Sequence, residues 1–125
     1  MRDLDDLTER LKLFRDARDW SQFHTPKNLA MALAGEVGEL LAELQWLTND
    51  QVAERLSHES EFRARLEDEI ADVMIYLTYL ADATGTDLVA VAGDKVARNE
   101  VRYRAEASRG RAVKHTRLQT EPEDA

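Results

Sequence analysis

The stretch Ile70-Ala71-Asp72-Val73-Met74-Ile75-Tyr76-Leu77-Thr78-Tyr79-Leu80-Ala81 is apolar nearly all round when wound as a helix. A helix of that kind must be covered on more than one side. A helical chain of 125 residues has few neighbours to supply the cover. The run therefore predicts a helix that also lines a subunit interface. Asp72 lies inside it, where a carboxylate is costly unless it is paired or holds a metal.

Asp72 is not alone. Glu69 precedes it by one turn, and Glu36, Glu39 and Glu43 fall in a second apolar-periodic stretch. At about 100° per residue, Glu36 and Glu39 lie about 60° apart around the axis, as do Glu69 and Asp72. Glu36 and Glu43 are separated by only about 20°. Each helix thus offers carboxylates on one face beside apolar residues. The bland alternative is a solvated surface with Lys or Arg one turn away. Around Glu36 and Glu39 those positions are Ala32, Gly35, Leu40 and Glu43, and there is no basic residue between Lys27 and Arg55. Arg65, one turn before Glu69, makes the second pair less clean, although Asp72 is followed by Tyr76. Uncompensated carboxylates on apolar helices point to a hard divalent cation, Mg²⁺, with Mn²⁺ as substitute.

Other chemistries are excluded. There is no cysteine, hence no disulfide framework or thiolate zinc site. A di-iron bundle needs Glu-x-x-His, but Ser21, Arg55 and Ala112 stand three before His24, His58 and His115. His-Glu-x-x-His, a phosphate-binding Gly-Lys loop and a dinucleotide fingerprint are all missing, and no serine sits in a triad context. A net charge of −8 argues against nucleic acid as a partner. No apolar run approaches the roughly 18 residues that span a bilayer, so no membrane partner is expected. The first residues lack the apolar core of a signal peptide, and the expected location is cytoplasmic.

Two prolines, five glycines and 43% hydrophobic residues predict a single all-α domain. The first helix is expected from Asp3 to Asp19, with Leu4, Leu7, Leu11, Phe14 and the stem of Arg18 on one face. A connection holding Trp20, Phe23 and His24 leads to Thr25-Pro26, a helix start. The second helix runs to Leu47, with Leu29, Leu33, Val37, Leu40, Leu41 and Leu44 as its core stripe. Gly35 and Gly38 inside it imply a close packing or ligand contact. Thr48 and Gln51 form a capping box for a short helix to Leu56. The third long helix spans Glu61 to Thr84, capped at one end by Ser57 or Ser60 and ended by Gly85. A fourth runs from Thr86 or Asp87 to Tyr103, with Leu88, Val89, Val91, Ala92 and Val96 apolar and Lys95 and Asn99 on one face. Residues 105–118 read as a basic, aperiodic tail, and Gln119 to Ala125 as acidic and disordered. The domain is placed at 1–104 and the tail at 105–125.

Glu36-x-x-Glu39 followed by Glu69-x-x-Asp72 resembles the signature of the all-α nucleoside triphosphate pyrophosphohydrolases, the MazG-like superfamily. Arg18 to Leu29, Glu39 to Trp46, Asp72 to Leu77 and Lys95-x-x-x-Asn99-x-x-x-Tyr103 are similar to its dCTP pyrophosphatase branch. The similarity covers residues 10–118. It implies a four-helix-bundle-like MazG-type fold that forms a homodimer or homotetramer. It also implies Mg²⁺-dependent cleavage between the α- and β-phosphates. By position, Glu36, Glu39, Glu69 and Asp72 would bind metal, with Glu36 and Glu39 the catalytic candidates. Lys95 and Asn99 would meet phosphate or sugar. Trp20, His24, Trp46 and Tyr76 would shape the nucleoside pocket, some from a neighbouring subunit. The animal members carry a base-contacting histidine nine residues before the tryptophan, where this chain has Leu11.

The implied function is hydrolysis of a (d)NTP, dCTP or a modified dCTP above others, to the monophosphate and pyrophosphate. Glu39 or Glu43 would orient or deprotonate the attacking water. Lys95, with Arg109 or Arg111, would stabilise phosphate charge. One alternative is a related enzyme acting on dUTP or phosphoribosyl-ATP. The alternative of a different class is a non-catalytic helical interaction module whose acids are only surface charge.

Overall fold

A computed structural model of the chain describes residues 3–112, 114 and 116. The chain divides between Thr86 and Asp87 into two compact units. No strand occurs among the described residues.

The first unit holds α1 (Leu4–Asp16), a 3₁₀ turn (Ser21–Phe23), α2 (Pro26–Leu44), α3 (Asn49–His58) and α4 (Ser60–Thr84). Local chemistry sets most of these ends. The Asp3 carboxylate accepts from the Asp6 amide at 2.8 Å and starts α1. The Thr25 hydroxyl accepts from the Asn28 amide, with Pro26 opening the first turn of α2. The Thr48–Gln51 capping box forms in both directions, at 3.1 and 2.9 Å. Gly85 ends α4 at φ 65°, a left-handed conformation that glycine adopts without a Cβ clash.

Several boundaries differ from expectation. α1 and α2 each stop three residues early, at Asp16 and Leu44. Asp19 takes φ 53°, which turns the chain into the 3₁₀ segment. Trp46 consequently lies in the turn after α2 rather than on it. α3 is longer than predicted, and neither serine caps α4: Glu59 occupies that position without a side-chain cap.

α4 is the central element, against which α2, α1 and α3 all pack. Phe62 and Leu29 are 1% and 2% exposed, and Leu66, Thr78, Tyr79 and Ala81 complete the buried set. Full burial of a side chain such as Phe62 or Leu29 is worth about 1.5–3 kcal/mol. The Tyr79 hydroxyl donates to the Leu11 carbonyl at 2.8 Å, and the Arg15 guanidinium meets Asp82 at 3.0 Å. Both contacts tie α1 to the end of α4.

The expected core stripe of α2 is only half used. Leu29 is buried, while Val37 and Leu41 are 47% and 55% exposed. On α4, Ile70 and Met74 are likewise about half exposed. The reason is geometric: one neighbouring helix covers one side of α2, and α4 has neighbours on part of its circumference only. The glycine expectation also changes. A Cβ at Gly35 or Gly38 would meet nothing within 4 Å, so no packing among the described residues requires either glycine.

The second unit holds α5 (Leu88–Arg102) and α6 (Ala105–Ser108). Asp87 caps α5 by accepting from the Ala90 amide at 3.1 Å. Val89, Val91 and Val96, expected as an apolar contact face, are exposed. The basic segment after Arg104 is not wholly irregular, since it forms α6. The expectation for 119–125 lies outside the described residues.

Candidate metal centre

α2 and α4 run side by side, and the acidic faces of the two helices meet. Glu36 from α2 and Glu69 and Asp72 from α4 each place a carboxylate oxygen within 4.8 Å of the others. All three side chains are half-buried. Glu36 Oε2 and Glu69 Oε2 are inaccessible and have no hydrogen-bond partner. A buried carboxylate oxygen with neither donor nor cation is costly, and two in one cluster are more so. Burial first, and then the neighbouring Glu39 carboxylate, push both Glu36 and Glu69 above the usual carboxylate range. Asp72 adds to the effect on each.

These are the properties of a site made for a cation. The donors are all oxygens, which suits a hard divalent ion. Both residues that carry an orphaned oxygen belong to the converging trio, where a shared positive charge would satisfy them. The residues present therefore fit a divalent metal.

Glu39 stands apart from the trio. It is exposed and outside the group of converging oxygens, yet it lies against both Glu36 and Glu69. Glu43 is half-buried and turns elsewhere, its Oε2 accepting from Arg65 Nε at 3.4 Å. Arg65 thus does not neutralise Glu69, its neighbour one turn on; it reaches across to α2.

The structure distributes the other candidate residues over both units. Trp20 is 43% exposed and packs edge-on against Phe14, whose ring carries the Arg18 guanidinium at 3.6 Å. Trp46 is 85% exposed. Tyr76 is half-buried on α4, one turn past Asp72. His24 packs edge-on against Tyr79 with centroids 4.6 Å apart. Its Nδ1 is buried without a partner. Burial, aided by the Arg15 charge, holds His24 below the ordinary histidine range, so the ring is neutral at pH 7. Lys95 is exposed and Asn99 half-exposed on α5.

Two residues were not singled out by spacing. Tyr79 orders both Leu11 and His24, but inside an apolar run it reads as core. Arg65 reads as an i,i+4 partner for Glu69, and only the packing of α2 on α4 assigns it to Glu43.

Residues 32–118 match the MazG-like family. The chain belongs to the MazG-like family. Among curated proteins, dCTP pyrophosphatase 1 from Rattus norvegicus is 41% identical over 92% of this chain and 67% of its own length. The Homo sapiens dCTP pyrophosphatase 1 is 40% identical over the same shares. A crystal structure of a pyrophosphatase from Archaeoglobus fulgidus is 39% identical, with a TM-score of 0.74. It covers 80% of this chain and 91% of the archaeal one. The MazG-like match includes the carboxylates of α2 and α4 and extends through Lys95 and Asn99.

Proposed function

We propose that this chain is a Mg²⁺-dependent nucleoside triphosphate pyrophosphohydrolase that converts dCTP, or a modified dCTP, to the monophosphate and pyrophosphate. Its role is clearance of unwanted nucleotides from the pool. The observation that carries the reading is the convergence of Glu36, Glu69 and Asp72, with orphaned oxygens, in a MazG-like chain similar to dCTP pyrophosphatases.

Glu36, Glu69 and Asp72 would hold the cation, with Glu39 beside them as a further ligand. A divalent cation held there would supply positive charge to offset that of the triphosphate and of the departing pyrophosphate. The oxygen of water bonds to the α-phosphorus, and the bond from that phosphorus to the α,β-bridging oxygen breaks. The electron pair leaves with pyrophosphate. We assign the water's proton to Glu39 rather than Glu43; its exposure beside Glu36 and Glu69, with Glu43 engaged by Arg65, supports this. The exposed rings of Trp20 and Trp46 suit stacking on a base, with neutral His24 and Tyr76 as polar contacts. The family resemblance assigns phosphate and sugar contacts to Lys95 and Asn99.

Product identity tests the reaction. Purified protein with dCTP and Mg²⁺ is expected to release pyrophosphate and dCMP, faster than from dUTP or phosphoribosyl-ATP. Orthophosphate as the product would remove the assignment.

We read the domain as four-helix-bundle-like over 1–104, with 105–125 as a tail, acting in the cytoplasm without nucleic acid or membrane. No described helix is long and apolar enough to cross a membrane. The working form is a homodimer or homotetramer. Val37, Leu41, Ile70 and Met74 are exposed on the two site helices, beside glycines with open space above them. Bare apolar area of that kind is characteristic of an interface between subunits. Light scattering coupled to size exclusion is expected to give at least twice the 14.3 kDa chain mass. A monomer at micromolar concentration would contradict this.

A further inference from the structure

We propose that Arg65 is a positioning residue for the metal centre: by holding Glu43 it keeps that carboxylate out of the Glu36–Glu69–Asp72 cluster and sets the charge a cation meets there. The inference rests on the metal-centre reading above and deepens it.

Helical geometry brings Glu43 to within about 20° of Glu36 around α2. It is nonetheless absent from the converging set. Its Oε2 is taken by Arg65 Nε at 3.4 Å. Arg65 comes from α4, one turn before Glu69, and its guanidinium carbon lies 5.9 Å from the ring centroid of the buried Phe62. The aromatic ring gives the guanidinium a favoured place to rest, on the Glu43 side.

Releasing Glu43 changes what a metal finds. Arg65→Met keeps an apolar stem over Phe62 and removes the cation. Glu43, one turn beyond Glu39 on α2, then loses its cationic partner, and additional acidic groups near a site tighten divalent binding. An ion pair this exposed contributes little to folding, so the variant is expected to melt like the parent.

The test is Mn²⁺ binding to the metal-stripped full chain, by calorimetry and by electron paramagnetic resonance. Arg65→Met is expected to bind Mn²⁺ about tenfold more tightly. Arg65→Lys, which keeps a cation beside Glu43, stays within about threefold of wild type. Glu43→Gln alone is expected to leave affinity within about threefold, since Glu43 is already withheld. In the Glu43→Gln background, Arg65→Met should have no further effect. Equal tightening in that background would mean that Arg65 acts only through its own charge, and the proposal falls. A tenfold loss in Glu43→Gln would make Glu43 a ligand, with the same result. Unchanged affinity in Arg65→Met overturns this inference alone, whereas a wild type that binds no Mn²⁺ overturns the metal-centre reading with it.

Discussion

Glu36→Gln is expected to lower kcat roughly a thousandfold and, with Mg²⁺ chelated, to raise the melting temperature. The two effects share one cause. Glu36 is partly buried among Glu39, Glu69 and Asp72, all of like charge. The arrangement is useful only when a cation occupies it. Glutamine has nearly the same shape, removes one charge, and adds an amide donor for a neighbouring carboxylate oxygen. The metal-free protein therefore gains, while the loaded enzyme loses a ligand. Steady-state kinetics with dCTP and a thermal melt in chelator read the two sides. An unchanged kcat would remove Glu36 from the site. A lower melting temperature in chelator would contradict the account of crowded charge. The helical-module alternative expects no change in either catalysis or Mg²⁺ response.

The second large effect is a pH dependence whose sign reverses with metal. Glu36 and Glu69 are both raised above their unfolded values. Over the window between the ordinary carboxylate pKa and their raised ones, the folded metal-free state binds more protons than the unfolded state. Stability then rises as pH falls through that window, and the gain is complete below the ordinary value. Asp16, held low by Arg15, has the opposite sign, but its contribution is lost only at more acidic pH. Mg²⁺ requires the same carboxylates ionised, so its stabilisation shrinks as pH falls. At neutral pH, an ion at a hundred times its Kd adds about 2.7 kcal/mol. Melting curves from pH 8 to pH 5, with and without Mg²⁺, are expected to converge. Parallel curves would exclude linkage between these carboxylates and the metal.

The order and type of the helices in the first unit were legible because their signals are local. Asp3, Thr25 and Thr48 each satisfy an amide three residues on, and Gly85 supplies the one backbone conformation that ends α4. The ends that moved lack such signals. Asp16 and Leu44 are followed by no capping residue, and α6 is too short to show a period. Among the candidate residues, Glu36 and Asp72 were visible because carboxylates at helical spacing lacked cations one turn away, and Glu69 because it pairs with Asp72 on one face despite Arg65. Tyr79 was not, because a buried phenol in an apolar run looks like any other core aromatic.

What the sequence alone determined, then, is that each of two helices carries paired carboxylates on one face beside apolar residues. That follows from 3.6 residues per turn and needs no partner. Which carboxylates converge was decided by tertiary structure. The rotation of α2 against α4 brings Glu36 to Glu69 and Asp72, leaves Glu39 exposed, and delivers Glu43 to Arg65. Such rotation depends on side chains far apart in the chain, Leu29 and Phe62 among them, filling one shared core. No interaction confined to one turn of helix can encode it.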